Sequence, residues 1–131
     1  MTTGMYQFLK HQEHEGKMII DWAYFKKGCA SSQKAQESLE HTQVEIRTEV
    51  NAKNEPLEAQ KTWDLLQVGK KILIASGRKT REFSPLPDKK QEILKIVLGR
   101  SGTLRAPTLK IGTTFYIGFN NDMYDRLLNK S

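Results

Sequence analysis

Strand, helix, strand, separated only by short turns, is the pattern that most limits what this chain can fold into. Ile19-Ile20-Asp21-Trp22-Ala23-Tyr24-Phe25 is apolar and rich in β-branched and aromatic residues, which marks a buried strand. Lys26-Lys27-Gly28 turns the chain, and Cys29 through Glu40 reads as a helix with Ala35 and Leu39 on one face. Val44-Glu45-Ile46-Arg47-Thr48-Glu49-Val50 then alternates apolar and charged residues, the mark of a half-exposed strand. Parallel strands joined across a helix must form a right-handed crossover.

The remainder extends this unit. Asn54 is suited to cap a second helix with Pro56 in its first turn, Ala59, Trp63 and Leu66 on its buried stripe and Gly69 at its end. Lys71-Ile72-Leu73-Ile74-Ala75 is apolar but too short for its period to decide its type, and it leads into the basic turn Ser76–Arg81. Pro85, Pro87 and Asp88 announce a third helix whose Ile93, Leu94, Val97 and Leu98 point inward. Arg105-Ala106-Pro107-Thr108 enters a strand with Leu109 and Ile111. Gly112-Thr113 turns it, and Phe115, Ile117 and Phe119 alternate on the way back, a β-hairpin. Asn120-Asn121-Asp122 caps a last helix carrying Tyr124 and Leu128. The expected fold is α/β and thioredoxin-like. It has a four-stranded mixed sheet flanked by helices, with a helical insertion between the βαβ half and the ββα half.

A chain of 131 residues suits one domain. Residues 1–17 read as an N-terminal extension and 18–131 as the domain; His11 and His14 in the extension have no third ligand nearby and read as a solvated arm rather than a metal clip. No apolar run reaches the length of a membrane span and the N-terminus lacks a secretory apolar core, so the expected compartment is the cytoplasm. The single cysteine excludes an internal disulfide and agrees with a reducing compartment. A formal charge of +6 favours anionic partners, whether small oxyanions, nucleic acid or an acidic protein. Gly99-Arg100-Ser101-Gly102 matches the loop of a KH domain, but a hairpin follows where a helix should, which argues against nucleic acid. No Walker loop, dinucleotide fingerprint or zinc ligand set is present.

Cys29 is the candidate nucleophile. It opens a helix, where unpaired N–H groups and the positive end of the macrodipole favour a thiolate, and Lys26 and Lys27 push the same way. The segment Phe25–Ala35, with Cys29 and Ser32 in a CxxS arrangement, resembles the active-site segment of the ArsC family, the glutaredoxin-related arsenate reductases and their Spx-type relatives. Arg105-Ala106-Pro107-Thr108-Leu109 resembles that family's Arg-Pro segment, Ile117-Gly118-Phe119-Asn120 is similar to its Val-Gly-Phe, and Ile74–Lys79 resembles its stretch bearing an anion-binding arginine. The resemblance implies that Cys29 attacks an oxyanion or a disulfide, that Pro107 is a cis-proline beside it, that Ala106 lines the substrate groove, and that Arg78 steadies the anion. Ser32 is open to two readings, a hydrogen-bond donor to the thiolate or only a first-turn residue of the helix. No bound cofactor is implied; glutathione or glutaredoxin would resolve the adduct.

Departures from the family separate the substrates. Arsenate reductases place Arg immediately before the proline; here Ala106 stands there and Arg105 one step earlier, on the opposite side of an extended chain. No arginine occurs in Tyr116–Asn120. Each lost guanidinium removes charge-assisted bonds of about 1.5–3 kcal/mol, which argues against arsenate and leaves thiol chemistry intact. Two readings stay open. One is a monothiol oxidoreductase that needs an external resolving thiol. The other is an Spx-like module that binds a protein such as RNA polymerase, with a vestigial or sensory thiol.

Overall fold

The computed structural model describes residues 18–129. The expected 1–17 extension, with His11 and His14, lies outside the described residues. The apolar run predicted as one strand is two segments, β1 (Met18–Ile20) and β2 (Trp22–Phe25), broken at Asp21. They pair in parallel with β3 (Val44–Ile46) and β4 (Glu49–Asn51). Ile20 faces Ile46 and Ala23 faces Glu49, so a single register runs through the break. Asp21 interrupts the apolar run for a reason: its Oδ2 accepts the Gly112 N–H at 2.7 Å. Between the strand pairs, α1 (Ala30–Glu40) buries Ser32, Ala35 and Leu39.

Four residues after the predicted Asn54 cap, Glu58 caps α2 (Ala59–Leu66), and Ala59 is exposed rather than part of the buried stripe. The delay has a physical cause. The buried Tyr24 Oη donates to the Glu55 carbonyl at 2.9 Å and accepts the Leu57 N–H at 3.2 Å. The Leu57 carbonyl is held in turn by Leu104 N at 2.8 Å and by Thr62 Oγ1 at 3.0 Å. Residues 55–57 therefore spend their backbone groups on the sheet and a neighbouring loop, not on a first helical turn. The buried stripe of α2 is Thr62, Trp63 and Leu66.

The short apolar run is a strand, β5 (Lys71–Ser76), and the basic turn joins it to β6 (Lys79–Phe83). Ser76 faces Lys79 across the two-residue loop Gly77-Arg78. A 3₁₀ turn (Pro87–Lys89) leads into α3 (Lys90–Val97), which buries Ile93, Leu94 and Val97. The predicted hairpin is β7 (Thr108–Ile111) and β8 (Thr114–Ile117), and α4 (Asn121–Asn129) follows it.

The sheet is larger than the expected four strands. Its order is β4-β2-β7-β8-β5-β6, with β1 and β3 assigned as a separate two-stranded pair that continues β2 and β4. β7 runs antiparallel to β2 and to β8, and β5 joins the far side of β8 in parallel. The insertion is therefore not wholly helical: it holds α2, a hairpin and α3. β5 is apolar at consecutive positions because both its faces are covered. Ile20, Ala23, Leu73, Ala75 and Tyr116 form one core with Ala35 and Leu39 of α1 and Met123, Tyr124 and Leu127 of α4. Tyr24, Ile72, Ile74, Phe115 and Ile117 form the other with Trp63 and Leu66 of α2 and Ile93, Leu94 and Val97 of α3. The result is a mixed α/β layer structure with helices on both faces. No helix among the described residues is long and apolar enough to cross a membrane.

Candidate active site

Cys29 is placed by a tight turn. Its N–H donates to the Lys26 carbonyl at 3.2 Å, and Gly28, third in that turn, has φ 84°. A positive φ at this position is what a type II turn demands, and glycine adopts it without strain. Cys29 is then the N-cap of α1, with extended backbone (φ −95°, ψ 127°) and its carbonyl accepting Gln33 N–H at 3.0 Å. The thiol itself makes no capping bond, the side chain is half-buried, and no acid occupies the first turn of α1. The donors that open a helix have no intrahelical partner, so Cys29 stands beside free N–H groups. Ser32 is fully buried, and its Oγ accepts the Lys26 N–H at 3.0 Å. It braces the turn from inside.

The opposite wall comes from the start of β7. Tyr24 faces Thr108 where the β2–β7 ladder ends, so residues 105–107 enter β7 at the end of the sheet from which β2 leads to Cys29. The Ala106–Pro107 peptide is cis. Pro107 is buried and its carbonyl accepts the Gly118 N–H at 2.8 Å. Cys29 and Ala106 line one cleft of about 580 Å³, together with Ala52, Lys53 and Pro56 and with residues of the 99–104 segment other than Gly102. Lys26, Lys53, Arg100 and Arg105 line it, together with Ser31 and Ser101, and no Asp or Glu among the described residues does. Glu55 is the acid that acts on this wall. Burial pushes the Tyr24 hydroxyl above its ordinary pKa, the bond to Leu57 pulls it partly back, and the Glu55 charge adds a still smaller upward push.

The structure brings Cys29, Arg105 and Ala106 to one cleft, whereas Pro107, Ser32 and Arg78 do not line it. Arg105 turns its guanidinium inward: Nη1 makes long bonds of 3.4 Å to the Ala75 and Ile96 carbonyls. It packs so closely on Gly118 that a Cβ there would stand 2.7 Å from Nη2. Desolvation lowers its pKa, and no carboxylate among the described residues pairs with it. Ser32 is sealed beneath the turn. Arg78 is exposed in the β5–β6 loop, at the same end of the sheet but three strand positions from β2, roughly 14 Å at the usual strand spacing.

Lys53, Arg100 and Ser31 were not singled out from sequence as site residues. Ser31 follows directly from the helix register of Cys29. Lys53 and Arg100 sit in turn segments, Asn51–Asn54 and Gly99–Gly102, that meet only through the tertiary pairing of Glu58 with Thr103 and of Leu57 with Leu104. No local signal joins them. No group of His, Cys, Asp and Glu able to hold a metal occurs among the described residues. In comparisons with known proteins, no family model and no curated protein matches the chain.

Proposed function

We propose that this chain is a monothiol oxidoreductase, built on a thioredoxin-like fold of the ArsC type, with Cys29 as its nucleophile. One observation carries the reading: the only cysteine in the chain caps α1 and lines the same cleft as Ala106. The strand order β4-β2-β7-β8 with α1 and α4 on one face supports the fold assignment, and the hairpin β5–β6 is then an addition to it.

In the proposed reaction the Cys29 thiolate attacks one sulfur of a low-molecular-weight disulfide such as oxidised glutathione. A new Sγ–S bond forms, the old S–S bond breaks, and the electron pair leaves on the departing thiolate. With no second thiol, an external thiol must attack the mixed disulfide and restore Cys29. The free N–H groups at the start of α1 stabilise the sulfur anion, Ala106 forms the wall against which the second sulfur lies, and Ser32 holds the turn in shape. Arsenate suits this site less well. A doubly charged oxyanion needs convergent guanidinium donors, whereas Arg105 is committed to two carbonyls and Arg78 stands outside the cleft.

The test is glutathionylation followed by intact mass, with Cys29→Ser as blank. The expected result is one glutathionyl adduct per chain, formed at Cys29 and removed by reduced glutathione. Absence of an adduct under conditions that modify a free-thiol control would leave the Spx-like interaction module as the better reading.

A further inference from the structure

We infer that the cleft selects its small-molecule thiol partner by charge, favouring an organic disulfide whose non-sulfur part carries two or more negative charges, and that Lys53 and Arg100 are the specificity-determining side chains. The inference rests on the proposed chemistry of Cys29 and goes beyond it, because nothing in thiol exchange itself requires a charged partner.

The arrangement of cations carries it. Four basic side chains outside the cleft meet acids: Lys71 with Glu82, Arg81 and Lys89 with Glu92, Arg126 with Asp122. The cleft differs in gathering several cations on one concave surface without an acid among them. Lys26, Lys53, Arg100 and Arg105 line it, no acid among the described residues lines it, and none of the four has an ion-pair partner among the described residues. Glu55 stands near the Tyr24 wall yet outside the lining. A concave site walled by uncompensated charge of one sign focuses its field on the space where a ligand sits.

The four cations do different work. Arg105 is tied to carbonyls and Lys26 belongs to the turn that presents Cys29. Lys53 and Arg100 come from two separate turn segments of the lining, are exposed, and make no side-chain hydrogen bond or ion pair among the described residues. They are free to meet carboxylate or phosphate groups on the far part of a ligand whose sulfur is at Cys29. Ser31 and Ser101 add hydroxyls to the same lining. A volume of about 580 Å³ suits a small organic molecule.

The experiment measures adduct formation at Cys29 by three disulfides: dianionic dithiobis(nitrobenzoate), neutral dithiodipyridine and dicationic cystamine. Each rate is divided by that of mercaptoethanol with the same reagent, which removes intrinsic reactivity. At low ionic strength the normalised anionic rate should exceed the cationic one by roughly tenfold to a hundredfold, the scale of electrostatic steering. The preference should shrink as salt rises through about 0.1 M, where the Debye length is near 10 Å. Lys53→Gln with Arg100→Gln should remove most of it. Lys34→Gln with Lys95→Gln, the same loss of charge outside the cleft, should keep it. Equal normalised rates for the three reagents overturn the selection while leaving Cys29 a working nucleophile. Equal losses in both double variants overturn the role of Lys53 and Arg100, since net charge alone then accounts for the effect. If Cys29 reacts with none of the three, the proposed chemistry falls and the selection with it.

Discussion

Replacing Tyr24 by phenylalanine removes one oxygen atom and tests why α2 starts where it does. The hydroxyl donates to Glu55 O at 2.9 Å and accepts from Leu57 N at 3.2 Å. The ring stays stacked on Trp22, with centroids 5.3 Å apart, so the apolar contact survives. What is lost is two hydrogen bonds, each worth a net ~0.5–1.5 kcal/mol, and the longer one belongs at the lower end. The expected destabilisation is about 2 kcal/mol. At roughly 4 °C per kcal/mol for a domain of this size, Tm falls by about 8 °C. Local loss should exceed the global one: the Leu57 amide, left without its acceptor, should exchange with solvent at least about tenfold faster, the equivalent of ~1.4 kcal/mol. The segment does not detach, because Leu57 O remains bonded to Leu104 N and Thr62 Oγ1. The assay is thermal unfolding of both proteins together with amide exchange at Leu57. A Tm shift under about 2 °C with unchanged Leu57 exchange would mean that water replaces the hydroxyl at no cost. The delayed helix start would then need another cause.

Asn120→Ala should cost about 2–4 kcal/mol by denaturant unfolding, since Nδ2 donates to Gly77 O and Lys79 O while Oδ1 caps α4 through Met123 N. Tyr124→Phe should hold or raise stability, by up to about 1 kcal/mol in the same assay, because the buried Tyr124 Oη has no hydrogen-bond partner among the described residues. Burial raises the pKa of Tyr24, Tyr116 and Tyr124. The folded state therefore holds protons that the unfolded chain releases. That contribution is complete below the ordinary tyrosine pKa of about 10 and is lost as pH rises through the folded values, at up to ~1.4 kcal/mol per pH unit for each ring. Tyrosinate absorbance at these three rings should therefore appear together with unfolding, not before it.

How much could be read from sequence depended on whether a segment's own residues decide its structure. β2, β7, β8 and α1 carry their periodicity locally, and Ala35, Leu39, Ile93, Leu94 and Val97 are buried as their spacing predicts. Cys29 at a helix start was legible because it belongs to a local turn, whereas the cis Ala106–Pro107 bond was expected only from the family resemblance. β6 was not, since Lys79-Thr80-Arg81-Glu82-Phe83 holds one apolar residue and becomes a strand through its pairing with β5. Asn54 is a good cap by itself, yet Tyr24, thirty residues earlier in the chain, determines the backbone of residues 55–57. Ser32 and Arg78 matched a pattern in one dimension, and burial and strand order keep both from the cleft. Lys53 and Arg100 join it only after the chain has folded.

The hairpin β5–β6 has a consequence for solubility. In a sheet ending at β8, the apolar row Phe115-Tyr116-Ile117 would present open backbone donors and acceptors to any passing extended chain. β5 occupies that position but is itself apolar on both faces, an equally adhesive rim. β6 ends the series with Lys79, Arg81 and Glu82 along the rim, and charge on an outermost strand disfavours edge-to-edge association. The pair works as a selvedge, the finished border that keeps a woven sheet from catching on its neighbours.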